Sequence, residues 1–358
     1  MKQWVVDERS AGFDESIRAA SQYIQQGKLV AFPTETVYGL GANALDETSV
    51  RRVFAAKHRP ADNPLIVHIA EVSQLTPLLP SGYAPSVRER ALMEAFWPGP
   101  LTMLFPASAA VAPSVHPGSE LVGVRMPAHP IASALIRASG CPIAAPSANR
   151  SGRPSPTSAA DVIEDLAGEI DGLLDGGACG IGVESTVLTV LEDKVIILRP
   201  GGITQEMISD VMDIPVVYDA HLMGADKPPL APGMRYRHYA PDARVHVWWG
   251  EAPDIYAAMC TLLLDEDSMY SHPPMRPAVI APDDFLSRYT FPAGVRLIPF
   301  HHEMYADELA QHLYSQLRAC DHDGITDILV HGVNPARGIG TAVMNRLQKA
   351  AEGRSFRV

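Results

Sequence analysis

Lys57, His58 and Arg59 stand directly before Pro60, and Asn63, Pro64 and His68 follow within the same stretch, KHRPADNPLIVH. A short cationic cluster on a proline-rich turn beside an apolar run suits a polyanion such as a nucleoside triphosphate, because ammonium and guanidinium groups make charge-assisted bonds to phosphate oxygens. The same residues would also serve as a solvated basic turn at a helix end, so other segments must decide. Thr34-Glu35-Thr36 lies just past a strand end, where its hydroxyls can hold a small polar substrate or cap the turn. Ser147–Gly152 (SANRSG) is rich in small donors able to wrap phosphate oxygens, or to form an ordinary Asx or Ser turn. Arg125 ends the apolar strand VGVRMP, and a buried guanidinium there needs a carboxylate, internal or from a ligand. Gly180–Thr186 (GIGVEST) puts glycines and hydroxyls ahead of another strand, and Arg199 in RPGG is a second cation at a strand end.

Other chemistries find little support. Gly39-Leu-Gly41-Ala-Asn-Ala44 matches GxGxxA, but the position some 20 residues on is the basic cluster rather than the acid that would bind a ribose. No GxxxxGK[ST] or HExxH occurs, and no spacing picks out a covalent nucleophile. His301-His302-Glu303 reads as a solvated helix start rather than a metal site. No residue is assigned as the catalytic acid or base.

These side chains need elements to position them. Helical spacing predicts helices over Asp14–Gln26, Asp46–Lys57, Ser86–Phe96, Ile131–Ala138, Ser158–Leu166 and Ile203–Met212. Apolar runs predict strands at 28–32, 65–69, 101–105, 121–126, 143–145, 185–191 and 195–198. Strands alternate with helices and then gather, which gives a twisted α/β sheet of mixed direction. Residues 213–243 form a Pro-rich, aromatic and basic connection that includes APGMRYRHYAP, and so are no inert spacer. Beyond it, strands at 245–249, 278–281, 295–299 and 328–331 alternate with helices at 254–264, 303–319 and 342–351. That is a second, small α/β domain. The expected organisation is a first domain over 1–212, a connection over 213–243 and a second domain over 244–358.

Composition sets limits. The 358 residues suit about two domains. Lys and Arg number 29 against 41 Asp and Glu, and the resulting charge of −12 argues against a broad electrostatic grip on nucleic acid. The four cysteines form no CxxC pair, so free thiols in a reducing cytoplasm are expected. The N-terminus lacks the apolar core of a signal peptide, and no apolar run reaches the roughly 20 residues that span a bilayer. A cytoplasmic location away from membranes follows as the expectation.

Taken in order, PTETVYGLGANA, KHRPADNPLIVH, WPGPLT, VRMP, PSANRSGRPSPT, ESTV and RPG resemble the YrdC-like family, from about residue 14 to 212. The connection APGMRYRHYAP and the terminal GIGTAVMNRLQKAA are similar to its long, two-domain form, the threonylcarbamoyl-adenylate synthases. The resemblance implies a twisted α/β sheet with a concave cavity, followed by a Rossmann-like domain. It also implies synthesis of threonylcarbamoyl-AMP and pyrophosphate from L-threonine, bicarbonate and ATP, in the service of a tRNA modification completed by a separate transferase. Thr36, His68, Arg125, Ala145 through its backbone, and Ser185 would hold threonine. Arg59, Asn63, Ser147, Ser155 and Arg199 would hold ATP. Lys57 and Asn149 would line the phosphate region, with Lys57 and Arg59 positioning phosphates, and Tyr236 or its neighbours would fold over the nucleotide. Mg²⁺ would enter with ATP, carried by phosphates and water, and no stable direct contact with tRNA is expected. One departure is Leu121, where relatives often carry Thr, so an ATP contact there would have to come from backbone. The alternative from another class is an RNA-binding or ribosome-associated module without nucleotide turnover.

Overall fold

The computed structural model describes residues 1–220, 222, 239–264 and 275–358. It divides into two compact units, residues 1–151 with 155–236, and residues 152–154 with 237–358.

In chain order the first unit contains β1 (Lys2–Val5), α1 (Phe13–Gln25), β2 (Val30–Phe32), β3 (Gly39–Asn43), α2 (Glu47–Lys57), β4 (Ile66–His68), α3 (Val87–Phe96), β5 (Leu101–Pro106) and β6 (Leu121–Arg125). It continues with α4 (Pro130–Ser139), β7 (Ile143–Ala145), α5 (Ala159–Leu166), β8 (Gly172–Asp175), β9 (Thr186–Val190), β10 (Val195–Arg199), α6 (Gln205–Ser209) and β11 (Val216–Tyr218). The strands form one sheet in the order β1-β8-β2-β3-β7-β4-β6-β5-β9-β10-β11. Its direction is mixed: β4 runs parallel to β6 and antiparallel to β7, and β5 runs antiparallel to β6 but parallel to β9. Both faces are covered. Val30 and Phe32 pack with Ile24, Leu135 and Ile143 on one side, whereas Ala31 joins Leu40, Val67, Leu92 and Phe105 on the other, as strand alternation requires.

Local sequence sets the ends of these elements. Ile17, Ala20 and Ile24 are the buried stripe of α1. Ser86 with Glu89, and Ser158 with Asp161, form reciprocal capping boxes that start α3 and α5. Asp46 caps α2 by accepting from the Thr48 amide, and His58, in the left-handed region at φ 50°, ends that helix and turns the chain into Arg59-Pro60. The glycines of 39–44 are not a cofactor loop but the interior strand β3. A Cβ on Gly41 would lie 2.8 Å from both Ile143 Cγ2 and Phe32 Cε1, so the neighbouring side chains already fill that space. The helix expected over 203–212 is regular only over α6, and strands β1, β8 and β11 join the sheet without a sequence expectation.

The second unit contains β12 (Arg244–Trp249), α7 (Ala252–Leu263), β13 (Pro277–Pro282), α8 (Asp283–Arg288), β14 (Arg296–Phe300), α9 (Tyr305–His322), β15 (Asp327–His331), α10 (Gly340–Ala351) and β16 (Ser355–Arg357). Its sheet, β14-β13-β15-β12-β16, is parallel throughout. Ile255, Met259, Val279, Phe285 and Leu329 belong to its core. The expected architecture, a large mixed sheet and a smaller parallel α/β unit, is the one observed. Among the described residues no helix is long and apolar enough to cross a membrane.

Candidate active site

Pairing in the middle of the first sheet sets His68, Arg125 and Thr102 side by side on β4, β6 and β5, through the registers His68↔Arg125 and Thr102↔Arg125. All three are buried. The Arg125 guanidinium donates from Nη1 to Thr36 Oγ1 at 2.9 Å and from Nε to the Gly99 carbonyl at 3.3 Å. Its Nη2 lies 2.6 Å from Glu35 Oε1, a buried ion pair. Thr36 is held in turn by Thr34, whose Oγ1 lies 2.8 Å from Thr36 Oγ1 and donates to the Val37 carbonyl at 2.6 Å. The threonines after β2 therefore form a buried, internally hydrogen-bonded turn from which Thr36 meets the arginine.

The row continues across the sheet. Thr102 Oγ1 lies 2.8 Å from Ser185 Oγ, and Arg199 donates to the Ser185 carbonyl from Nε and Nη2 and to Ser185 Oγ from Nη2. One residue earlier, Glu184 accepts from Ser155 Oγ at 2.6 Å. Glycine at 201 permits this closeness, because a Cβ there would lie 2.3–2.5 Å from Thr186 N, Glu184 O and the Ser185 carbonyl carbon. Since those atoms are backbone, Gly201→Ala is expected to cost about 1–3 kcal/mol or more. A lowered urea midpoint would record it, and an unchanged midpoint would contradict the packing described.

A second group forms around the end of α2. Lys57 is buried and donates from Nζ to the Ser147 carbonyl at 2.5 Å, to the Asn149 carbonyl, and to Asn149 Oδ1 at 3.3 Å. Ser147 Oγ donates to Asn149 Oδ1 at 2.5 Å, and Ser147 also bridges to Gly39 on β3. Arg59 folds back on its own turn, donating to the carbonyls of Asn63 (3.1 Å) and Pro64 (2.8 Å). The basic stretch is thus partly structural: Lys57 fastens the 147–149 loop, and Arg59 shapes the turn ahead of β4. Ala145 ends β7 opposite Ile66. Tyr236 lies outside the described residues.

Among the described residues, Glu35 Oε2 and His68 Nδ1 are buried without a hydrogen-bond partner, while Glu35 Oε1 and Arg125 Nη2 meet each other as the ion pair. Such groups are rare in a folded interior, and two beside one arginine mark a place for a polar ligand. Burial pushes the Glu35 carboxyl up, but the Arg125 charge and hydrogen bonding to Arg125, with backbone donors of Glu35 and Ala128, together hold it below its ordinary value. His68 is pushed down to about 3, first by burial and then by the Arg125 charge. Its imidazole is therefore neutral at working pH, and its unpaired nitrogen can face a ligand as donor or acceptor according to tautomer.

The sign of the linkage follows. Below its ordinary value of 6.5, His68 takes a proton in the unfolded chain but not in the native one. Glu35, held low, adds a stabilisation that is lost as pH falls through its folded value. Stability is expected to fall on acidification from about pH 6.5 towards pH 4, and less steeply in His68→Asn. Urea midpoints across that range test this, and parallel slopes would contradict it.

Sequence reasoning named Thr36, His68, Arg125, Ser185 and Arg199, and the sheet brings these into one connected row. It missed Glu35, Thr102 and Glu184 as partners. Glu35 sat between two threonines read for their hydroxyls, although the stated need of Arg125 for a carboxylate was a signal pointing to it.

Comparison with known proteins bears on this arrangement. A family model described as "Telomere recombination" matches residues 22–201, and one described as "Threonylcarbamoyl-AMP synthase, C-terminal domain" matches residues 203–352. The threonylcarbamoyl-AMP synthase of Bacillus subtilis is 44% identical, with 99% of each chain covered. This chain belongs to the threonylcarbamoyl-AMP synthase family. The Pyrococcus abyssi threonylcarbamoyl-AMP synthase is 45% identical over 96% of each chain. The crystal structure of P. abyssi Sua5 complexed with L-threonine superimposes with a TM-score of 0.86 at 42% identity, covering all of both chains. Nearly full-length coverage places the chain in the two-domain form of the threonylcarbamoyl-AMP synthase family, as the ordered motifs implied.

Proposed function

We propose that this enzyme makes threonylcarbamoyl-AMP and pyrophosphate from L-threonine, bicarbonate and ATP. The observation that carries the reading is the buried group of Glu35, Thr36, His68 and Arg125, with polar atoms still seeking partners, in a chain of this family. The threonine carboxylate is the natural ligand for Arg125, which has to share its guanidinium between that anion and Glu35. Thr36, His68, Ser185 and the Ala145 backbone surround the remaining polar atoms of the amino acid. Once the amine has taken up carbon dioxide from bicarbonate, the carbamate oxygen attacks the α-phosphorus of ATP, and pyrophosphate leaves.

Both partners in that attack are anionic, so fixed cations and donors must hold them together. Arg59, Asn63, Ser147, Ser155 and Arg199 are the groups for ATP, with Asn149 beside its phosphates. Lys57 acts as a positioning residue, through the carbonyls of the 147–149 loop. Tyr236 or its neighbours would cover the nucleotide and keep water from the adenylate. Mg²⁺ would come with the triphosphate and keep several of its waters. The product would pass, in the cytoplasm, to a separate tRNA threonylcarbamoyl transferase, without a stable tRNA complex of this chain.

The test is product identity. Incubation with ATP, L-threonine and labelled bicarbonate should yield one labelled adduct containing threonine and AMP. Labelled carbamate without AMP, or AMP without label, would overturn the reading.

A further inference from the structure

We propose that the second unit carries a site for a divalent ion of borderline softness, such as Zn²⁺, formed by Asp283, His301 and His302. The residues leave neighbouring parallel strands at the same level. Pro282 at the end of β13 pairs with Phe300 at the end of β14, Asp283 follows the first, and the two histidines follow the second. Together the three side chains offer one ligand atom each, all within 4.8 Å of one another.

Their backbone is held in place. The His302 amide donates to Asp283 Oδ1 at 3.0 Å, and the His301 amide donates to Glu308 Oε2 at 2.7 Å. The two imidazoles stack with centroids 4.9 Å apart and planes 15° from parallel, and His302 Nδ1 lies 2.9 Å from Asp283 Oδ1. An ion about 2.0–2.2 Å from each ligand atom sets tetrahedral neighbours roughly 3.3 Å apart. The 2.9 Å between His302 Nδ1 and Asp283 Oδ1 and the 4.8 Å span of the three ligand atoms lie on either side of that spacing, and the side chains of Asp283 and His302 are half-exposed, which leaves room for them to turn towards an ion. Two imidazoles and one carboxylate suit zinc better than Mg²⁺ or Ca²⁺, and the exposed side leaves room for water as a further ligand.

A simple capping role would use Asp283 and His302 alone. An ion site also needs His301, and that difference is what the experiment reads. Zinc binding to the full chain is measured by competition with a chromogenic chelator, for the wild type, His301→Ala and Asp283→Asn. The expected result is a stoichiometric zinc in the wild type, held at least about tenfold more weakly in each variant. Zinc should raise the thermal midpoint of the wild type and not that of His301→Ala, and pyrophosphate release should be alike in all three proteins. Far-ultraviolet circular dichroism establishes that the variants are folded. Equal zinc affinity in His301→Ala and wild type, or no zinc bound by the wild type, would overturn the proposal.

Discussion

Arg125→Ala should lose nearly all use of threonine and, at the same time, lose stability. The two losses have different origins. A guanidinium bonded to a carboxylate contributes about 1.5–3 kcal/mol per charged hydrogen bond, so its loss should raise the threonine requirement by about one to two orders of magnitude or more. Removing the arginine also strands the Glu35 carboxylate, which lies 2.6 Å from Arg125 and is mostly buried. Breaking a buried pair from one side costs about 3–5 kcal/mol. Adding Glu35→Gln to Arg125→Ala should recover much of the stability, because no charge then stays buried alone, but none of the threonine dependence. Steady-state pyrophosphate release across threonine concentrations, with urea midpoints for the single and double variants, separates the two effects. Recovery of both together would mean that Arg125 serves the fold alone.

Lys57→Met should act on the other substrate. The Lys57 ammonium is only 1% exposed and supplies donors to the Ser147 carbonyl, the Asn149 carbonyl and Asn149 Oδ1. Methionine fills a similar volume but leaves those oxygens without it, at about 1–3 kcal/mol for each buried acceptor left unsatisfied. The 147–149 loop should loosen, raising the ATP requirement at least tenfold while that for threonine changes little. An unchanged ATP requirement with a merely lowered melting temperature would assign Lys57 to the fold only.

Much of this was legible along the chain because it is local. Ile17, Ala20 and Ile24 mark α1 by spacing alone, and Gly27 stops it. The capping pairs Ser86/Glu89 and Ser158/Asp161 mark where helices begin. Other features were hidden for physical reasons. β3 reads as glycine-rich loop because its strand character comes from Phe32 and Ile143 pressing on it, not from its own residues. β1 is short and mostly exposed at the sheet edge, so it carries no apolar signature. Strand order is set by pairings between distant segments, which no local pattern records. The same holds inside the site. Arg125 announced its need for a carboxylate, but only the fold brings Glu35 to it. Lys57, expected to line the phosphate region, is fastened to carbonyl oxygens of a loop some ninety residues away, a pairing no local pattern records.

The measurement that bears most on the proposed reaction is pyrophosphate release by the purified protein with ATP, leaving out one component at a time. Release is expected only when L-threonine and bicarbonate are both present, because the attacking carbamate exists only when both supply it. Release that continues without threonine, or without bicarbonate, would contradict the proposed chemistry.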